Sequence, residues 1–288
     1  MTRYFLYIFV SNLLLFGLNS CGSKSKKEGK PVDTVVDAGI ADSNLLKTGV
    51  LEKLDYAIIN LRSSDVFIQI LSKQTNLYDN AILNNVKNVH EYESSKAKAL
   101  NLGVYGADLN YVIHFNQTPV SLKYLLCAKQ LSDQIGVSMA FDKKALDKFN
   151  GNVNQKDTLI NIVSSAYDVI KKYLRNDDQF QVASLVMIGS WVENMYLTLG
   201  LVDKCANVQD EQIILNGILN QKEYLKNLIS LFSILENQND NQQQTLVGSL
   251  KEIDGVLEKI STVPPDKQLI AKLKDKVVAL RVTVVDAK

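Results

Sequence analysis

Histidine, proline and cysteine are scarce in this chain of 288 residues, and each shortage removes a class of protein. Two histidines, His90 and His114, leave almost no material for a histidine-based metal site of the zinc hydrolase kind. Only one of the four prolines, Pro119, lies between Pro31 and Pro264, and no β-alternating runs stand between turn signals. The expected fold class is therefore all-α. An excess of charge of either sign is missing too: Lys and Arg total 32 against 31 for Asp and Glu, which gives no electrostatic reason to bind nucleic acid. No serine elbow, no Cys-His arrangement with partners and no phosphate-cradling glycine loop occurs. The chain is accordingly expected not to be an enzyme and to need no cofactor.

What is present begins with a directed segment. Residues 1–21 open with one basic residue, Arg3, and run apolar from Tyr4 to Leu18, broken only by Ser11, Asn12 and Gly17. That core is shorter than the roughly 20 residues of a spanning helix, and it has the charged start and small-residue exit of a secretory signal. The exit, Leu18-Asn19-Ser20-Cys21, resembles the lipobox of bacterial lipoproteins, with an aliphatic residue three before the cysteine and a small one directly before it. Asn19 is unusual for the middle place. The resemblance implies a precursor cleaved after Ser20 and a diacylglycerol on Cys21, whose acyl chains would hold the mature protein to a membrane. An ordinary signal peptide with an incidental cysteine, or a short uncleaved anchor, is the competing reading.

Residues 21–44 read as a flexible tether, starting Gly22-Ser23-Lys24-Ser25-Lys26-Lys27 and containing no aromatic residue. By lipoprotein sorting habits, Gly22 in place of an aspartate implies delivery to the outer membrane. The acidic run of surface-exported lipoproteins is missing, which points to the periplasmic face. With Cys21 assigned to lipid, Cys127 and Cys205 remain; 78 positions apart, they carry no spacing signature, and two unpaired thiols are the simpler expectation.

The remaining chain, 46% hydrophobic overall, is long enough for a large core, divided by pattern into a helical core domain (45–237) and a C-terminal antiparallel hairpin (238–288). Leu51, Leu54, Ile58 and Leu61 begin a first helix, and residues 81–89 make a shorter piece. Another helix follows Thr118-Pro119, with Thr118 as cap. Residues 138–149 form a connecting helix, and 154–174 give an amphipathic one through Leu159, Val163, Ala166 and Ile170. Helices over 211–219 and 221–235 come next, then a polar loop over 237–244. In the last fifty residues Leu246, Leu250, Ile253, Leu257 and Ile260 alternate 4,3,4,3, and Leu273, Val277, Leu280 and Val284 repeat 4,3,4, a narrow seam on each hairpin arm.

Two segments, 97–115 and 182–201, are apolar on nearly every face, which marks buried central helices rather than membrane spans, since Asp108 and Glu193 lie inside them. Both carry mid-helix glycines, Gly103 and Gly106 in one and Gly189 in the other. Such glycines cost about 1 kcal/mol each and imply close helix approach, for instance through Gly103 and Ala107. Gly103-Val104-Tyr105-Gly106-Ala107-Asp108 and Gly189-Ser190-Trp191-Val192-Glu193 also resemble one another. By these two segments the mature chain is similar to uncharacterised helical lipoproteins of Bacteroidota, a resemblance that implies no activity.

A carboxylate on a buried helix must be paired, hydrogen-bonded or facing a wet cavity. If the central helices are neighbours, Asp108 and Glu193 converge with Tyr105, Tyr111, His114, Trp191, Asn194 and Tyr196 into a candidate pocket for a cation, an amine or a sugar-like ligand. Alternatively each acid serves only to cap or hydrogen-bond a neighbour. Two function classes follow: a membrane-tethered small-molecule binding module with its pocket between the central helices, or a structural or interaction lipoprotein holding another envelope protein. A pocket at the two acids favours the first. Solid packing there, with an exposed apolar strip on the hairpin, favours the second.

Overall fold

The computed structural model describes residues 77–137, 156–174, 179–205, 207–234, 240–261 and 265–288. The signal-like segment, Cys21, the tether, the first expected helix from Leu51 and the connecting helix over 138–149 lie outside these residues. Among the described residues the chain is an all-α bundle of eight helices with no strand.

Two helices form its axis: α1 (Ser95–His114) and the helix that becomes α4 in chain order (Phe180–Val202). Sixteen of the twenty residues of α1 and eighteen of the twenty-three of α4 are buried, as the lack of a polar face on either requires. No other helix pair touches as extensively. Among the described helices α4 alone is long and apolar enough to cross a membrane by composition, yet its surface is buried inside the bundle.

Close approach of this pair rests on two reciprocal glycines. A methyl carbon built on Gly103 would stand 2.1 Å from the carbonyl oxygen of Val186, and one on Gly189 would stand 1.9 Å from that of Leu100. Backbone therefore lies on backbone, which only glycine permits. Gly106 takes no part, since nothing comes within 4 Å of the same position there.

The other helices cover this axis. α2 (Thr118–Gln134) packs on α1, and α3 (Lys156–Leu174) turns Leu159, Ile162 and Ala166 toward α4 and α1. α5 (Val208–Leu219) and α6 (Gln221–Ile234) lie against α4. α7 (Asn241–Leu257) and α8 (Lys267–Val285) form the antiparallel hairpin, its seam closed by Leu246, Leu250, Ile253 and Leu257 facing Leu273, Val277, Leu280 and Val284. These seam residues belong to the same buried cluster as the central helices, with α8 packed on both α4 and α1. α1 and α2 end alike, each closed by a left-handed residue: Asn116 (φ 58°) and Gly136 (φ 69°).

Several boundaries differ from the sequence pattern. The expected helix over 81–89 is instead two 3-10 turns, Asn80–Ile82 and Val86–His90. Asp79 and Asn85 cap them by accepting from the amides of Ala81 and Lys87, and Leu83 and Asn85 are extended between them. Local Asx capping outcompetes a continuous helix here. Thr118 does not cap α2 but is its first helical residue; Gln117 occupies the cap without a side-chain bond. α5 starts at Val208, one turn before Glu211, because Asn207 accepts from the amide of Asp210. Of the stretch expected as a loop over 237–244, residues 237–239 lie outside the described residues, and 241–244 form the first turn of α7, capped by Asp240.

Candidate functional site

Asp108 on α1 and Glu193 on α4 are both fully buried, and the crossing of the two helices brings their carboxyls within hydrogen-bonding reach of each other. Their environment is filled by the protein itself. From α8, Arg281 donates its Nε to one Glu193 oxygen at 2.7 Å and a terminal nitrogen to the other at 2.8 Å. The same terminal nitrogen donates to the Ile82 carbonyl at 3.1 Å, and the guanidinium lies 4.0 Å above the Tyr196 ring. This planar two-pronged grip on a carboxylate is one that lysine cannot reproduce. Asp108 accepts the backbone N–H of Asn84 at 3.1 Å through one oxygen.

The proton inventory follows from geometry. Two carboxylates cannot hydrogen-bond each other, and the second oxygen of Asp108 is buried with no donor facing it. A proton on Asp108 removes both difficulties, because the acid then donates to Glu193. Burial, reinforced by the Glu193 charge, pushes the Asp108 carboxyl well above the ordinary carboxylate range. Burial pushes Glu193 up as well, and its bonds to Arg281 pull it back. Burial by itself would lower the Arg281 pKa; the bonds to Glu193 and the Glu193 charge, together with smaller contributions from Asp108 and Tyr196, outweigh that and raise it. With the proton on Asp108 the cluster is a neutral acid, a carboxylate and a guanidinium, with no net charge.

A pH dependence follows. Because the folded-state pKa of Asp108 is raised, the native state holds a proton that the unfolded chain loses near pH 4. The stability it contributes is complete below that pH and is lost as pH rises, with a slope of at most about 1.4 kcal/mol per pH unit. Asparagine at this position can donate to Glu193 and accept from Asn84 without titrating. Asp108→Asn is therefore expected to gain stability relative to the parent as pH goes from 4 to 8, by urea unfolding at each pH. A difference that stays flat with pH would mean Asp108 is ionised in the native state.

The other residues expected at this place divide. Tyr105 and Tyr111, on the turns either side of Asp108, are buried staples for residues 77–92. Tyr105 donates to the Asn85 carbonyl at 2.9 Å, while the Tyr111 hydroxyl accepts from the Asp79 amide at 3.0 Å and donates to the Leu77 carbonyl at 3.4 Å. Burial pushes the Tyr105 phenol far up and that of Tyr111 up to about 12. Tyr196 joins the cluster through Arg281. Trp191, two residues from Glu193, points about 200° away around α4 and is buried on another face. Asn194 is buried there as well, its amide nitrogen 3.4 Å from the Ser190 hydroxyl. His114 is buried six residues beyond Asp108.

Sequence reasoning missed the partners that complete the cluster: Arg281, Asn84 and Tyr124, whose hydroxyl donates to the Asn84 carbonyl at 3.0 Å. One signal pointed to Arg281: it is one of four arginines in the chain and directly follows the seam residue Leu280.

Space for a ligand lies elsewhere. A cavity of about 280 Å³ sits where the first turns of α1 and α4 meet the end of α6, the start of α7 and the end of α8. Ala97, Leu100, Leu185, Phe232, Leu246 and Val284 form its walls, while Lys96, Gln181, Gln242 and Lys288 stand among the polar groups lining it. A second, of about 260 Å³, lies beside Tyr196 between two ion pairs, Lys204–Asp79 and Lys274–Asp203. A third, of about 490 Å³, runs over residues 78–86 and the start of α2 with a largely polar lining. Neither Asp108 nor Glu193 lines any of the three. Among the described residues no group of three or more His, Cys, Asp or Glu side chains is placed to share a metal ion, and Cys127 and Cys205 are free thiols. No protein-family model, curated protein or solved structure matches this chain.

Proposed function

We propose that this protein is a lipoprotein of the cell envelope, held by lipid on Cys21 to the periplasmic face of the outer membrane, and that it binds a small molecule in the 280 Å³ cavity between the ends of its central helices. The tether rests on the Leu18-Asn19-Ser20-Cys21 exit. The binding role rests on one observation: a cavity lined by apolar side chains together with polar groups and shared by both central helices. Apolar walls with a few polar groups are the usual make-up of a ligand site.

The acid cluster is not that site, since Arg281 already neutralises Glu193 and neither Asp108 nor Glu193 is exposed to solvent. A second reading, an interaction protein without a ligand, is favoured by Val278 and Val282, exposed one turn apart on the outer face of α8. That strip is two residues long, too short to be an extended docking face by itself.

Native mass spectrometry of protein extracted from its own membrane tests the proposal. The expected spectrum carries a diacylglyceryl mass on Cys21 and a non-covalent small molecule. Ala287→Trp, which places an indole at the cavity from the partly buried residue beyond α8, should remove that molecule. An unmodified Cys21 would refute the tether, and an Ala287→Trp protein that keeps its molecule would refute the binding site.

A further inference from the structure

We propose that the cavity takes the alkyl chain of an anionic single-chain amphiphile of about ten carbons, with its head group at Lys96 and Lys288. The inference rests on the small-molecule reading above and narrows it to a ligand class. Its first support is volume. A methylene is close in size to a water molecule, whose share of liquid volume is about 30 Å³, so a cavity of about 280 Å³ holds nine or ten of them. Its second support is the wall. Ala97, Leu100, Leu185, Phe232, Leu246 and Val284 come from five different helices and offer no charge, which suits a hydrocarbon.

Charge supplies the third support. Lys96 and Lys288 are the only ionisable side chains lining the cavity, so every charged side chain on the lining is cationic. Their present partners stand outside: Lys96 pairs with Asp240, and Lys288 lies 3.8 Å from Glu91 in a pair exposed on both sides. The exposed Lys288–Glu91 pair is weak, so a carboxylate or phosphate head can take over Lys288, while Lys96 is shared between that head and Asp240, which is only 17% exposed.

Displacement of the neutral fluorophore 1-N-phenylnaphthylamine from the full-length Cys21→Ser protein, kept free of detergent, tests this. Sodium alkanoates of six to fourteen carbons should displace the dye, with affinity rising about fourfold per methylene and levelling off near ten carbons, where the cavity is full. Decyltrimethylammonium should bind at least about fivefold more weakly than decanoate, and Lys96→Glu should narrow or reverse that preference. Dye binding that alkanoates displace without length dependence, or that cationic chains displace equally well, would overturn the amphiphile while leaving a small-molecule site. A folded, helical protein that binds neither dye nor alkanoate would overturn both. The length series needs no substitution at the cavity, so it stands even if Lys96→Glu fails to fold.

Discussion

Arg281→Ala is expected to lower the unfolding free energy by about 3–5 kcal/mol at pH 7, the cost of leaving one member of a buried ion pair behind. Against a total of about 5–15 kcal/mol for a typical domain, that is a large fraction of the stability. Glu193 has no exposed surface, and both its oxygens are occupied by Arg281, whose own side chain is only 13% exposed. Alanine removes the cation, the bond to the Ile82 carbonyl and the contact over Tyr196 together. The stranded Glu193 must then take up a proton, so the loss should shrink toward pH 4, where protonation is easy. Arg281→Met combined with Glu193→Leu should recover much of the loss, because an apolar replacement of a buried pair carries no uncompensated charge. Urea unfolding at pH 4 and pH 7 measures both effects. A loss under about 1 kcal/mol at pH 7 would mean that water reaches the pair.

Gly189→Ala is expected to cost about 3 kcal/mol or to prevent folding, although alanine is the better helix former by about 1 kcal/mol. The added methyl carbon would lie 1.9 Å from the Leu100 carbonyl oxygen and 2.7 Å from its carbon, against about 3.5 Å for an ordinary contact. Those atoms are helix backbone and cannot swing aside, so the two central helices must separate through a close-packed interior. Gly103→Ala meets the same obstacle from the other side, at 2.1 Å from Val186 and 2.5 Å from the Ser190 nitrogen. Since either substitution spreads the same crossing, the double variant should lose less than the two losses added. Gly106→Ala is the internal control: open space surrounds it, and it should stabilise by about 0.5–1 kcal/mol. Thermal unfolding of the three single variants decides. A tolerated Gly189→Ala beside a harmful Gly106→Ala would put the helix crossing elsewhere.

The sequence by itself determined the helical class, the two buried central helices, the need for glycine where they cross, and the hairpin seam. Each of these is written in one segment: a period of 3.5 or 3.6, an apolar circumference, a mid-helix glycine with nothing local to offset it. It also showed that Asp108 and Glu193 require partners, because a buried carboxyl cannot stand alone. Which partners they have was decided only by the tertiary structure. Arg281 is 88 positions from Glu193, and the Asn84 amide is 24 from Asp108. Neither distance leaves a mark on a periodic pattern, which tells which face of a helix is covered and not what covers it. The two 3-10 turns before α1 escaped for a related reason: apolar spacing over 81–89 competed with Asx caps, and tyrosines from α1 and α2 fix the outcome. The 280 Å³ cavity had no trace at all in the sequence, since five helices meet there and each contributes side chains that alone look like ordinary core. Periodicity is a property of one helix, while a cavity or a buried ion pair belongs to the space between several.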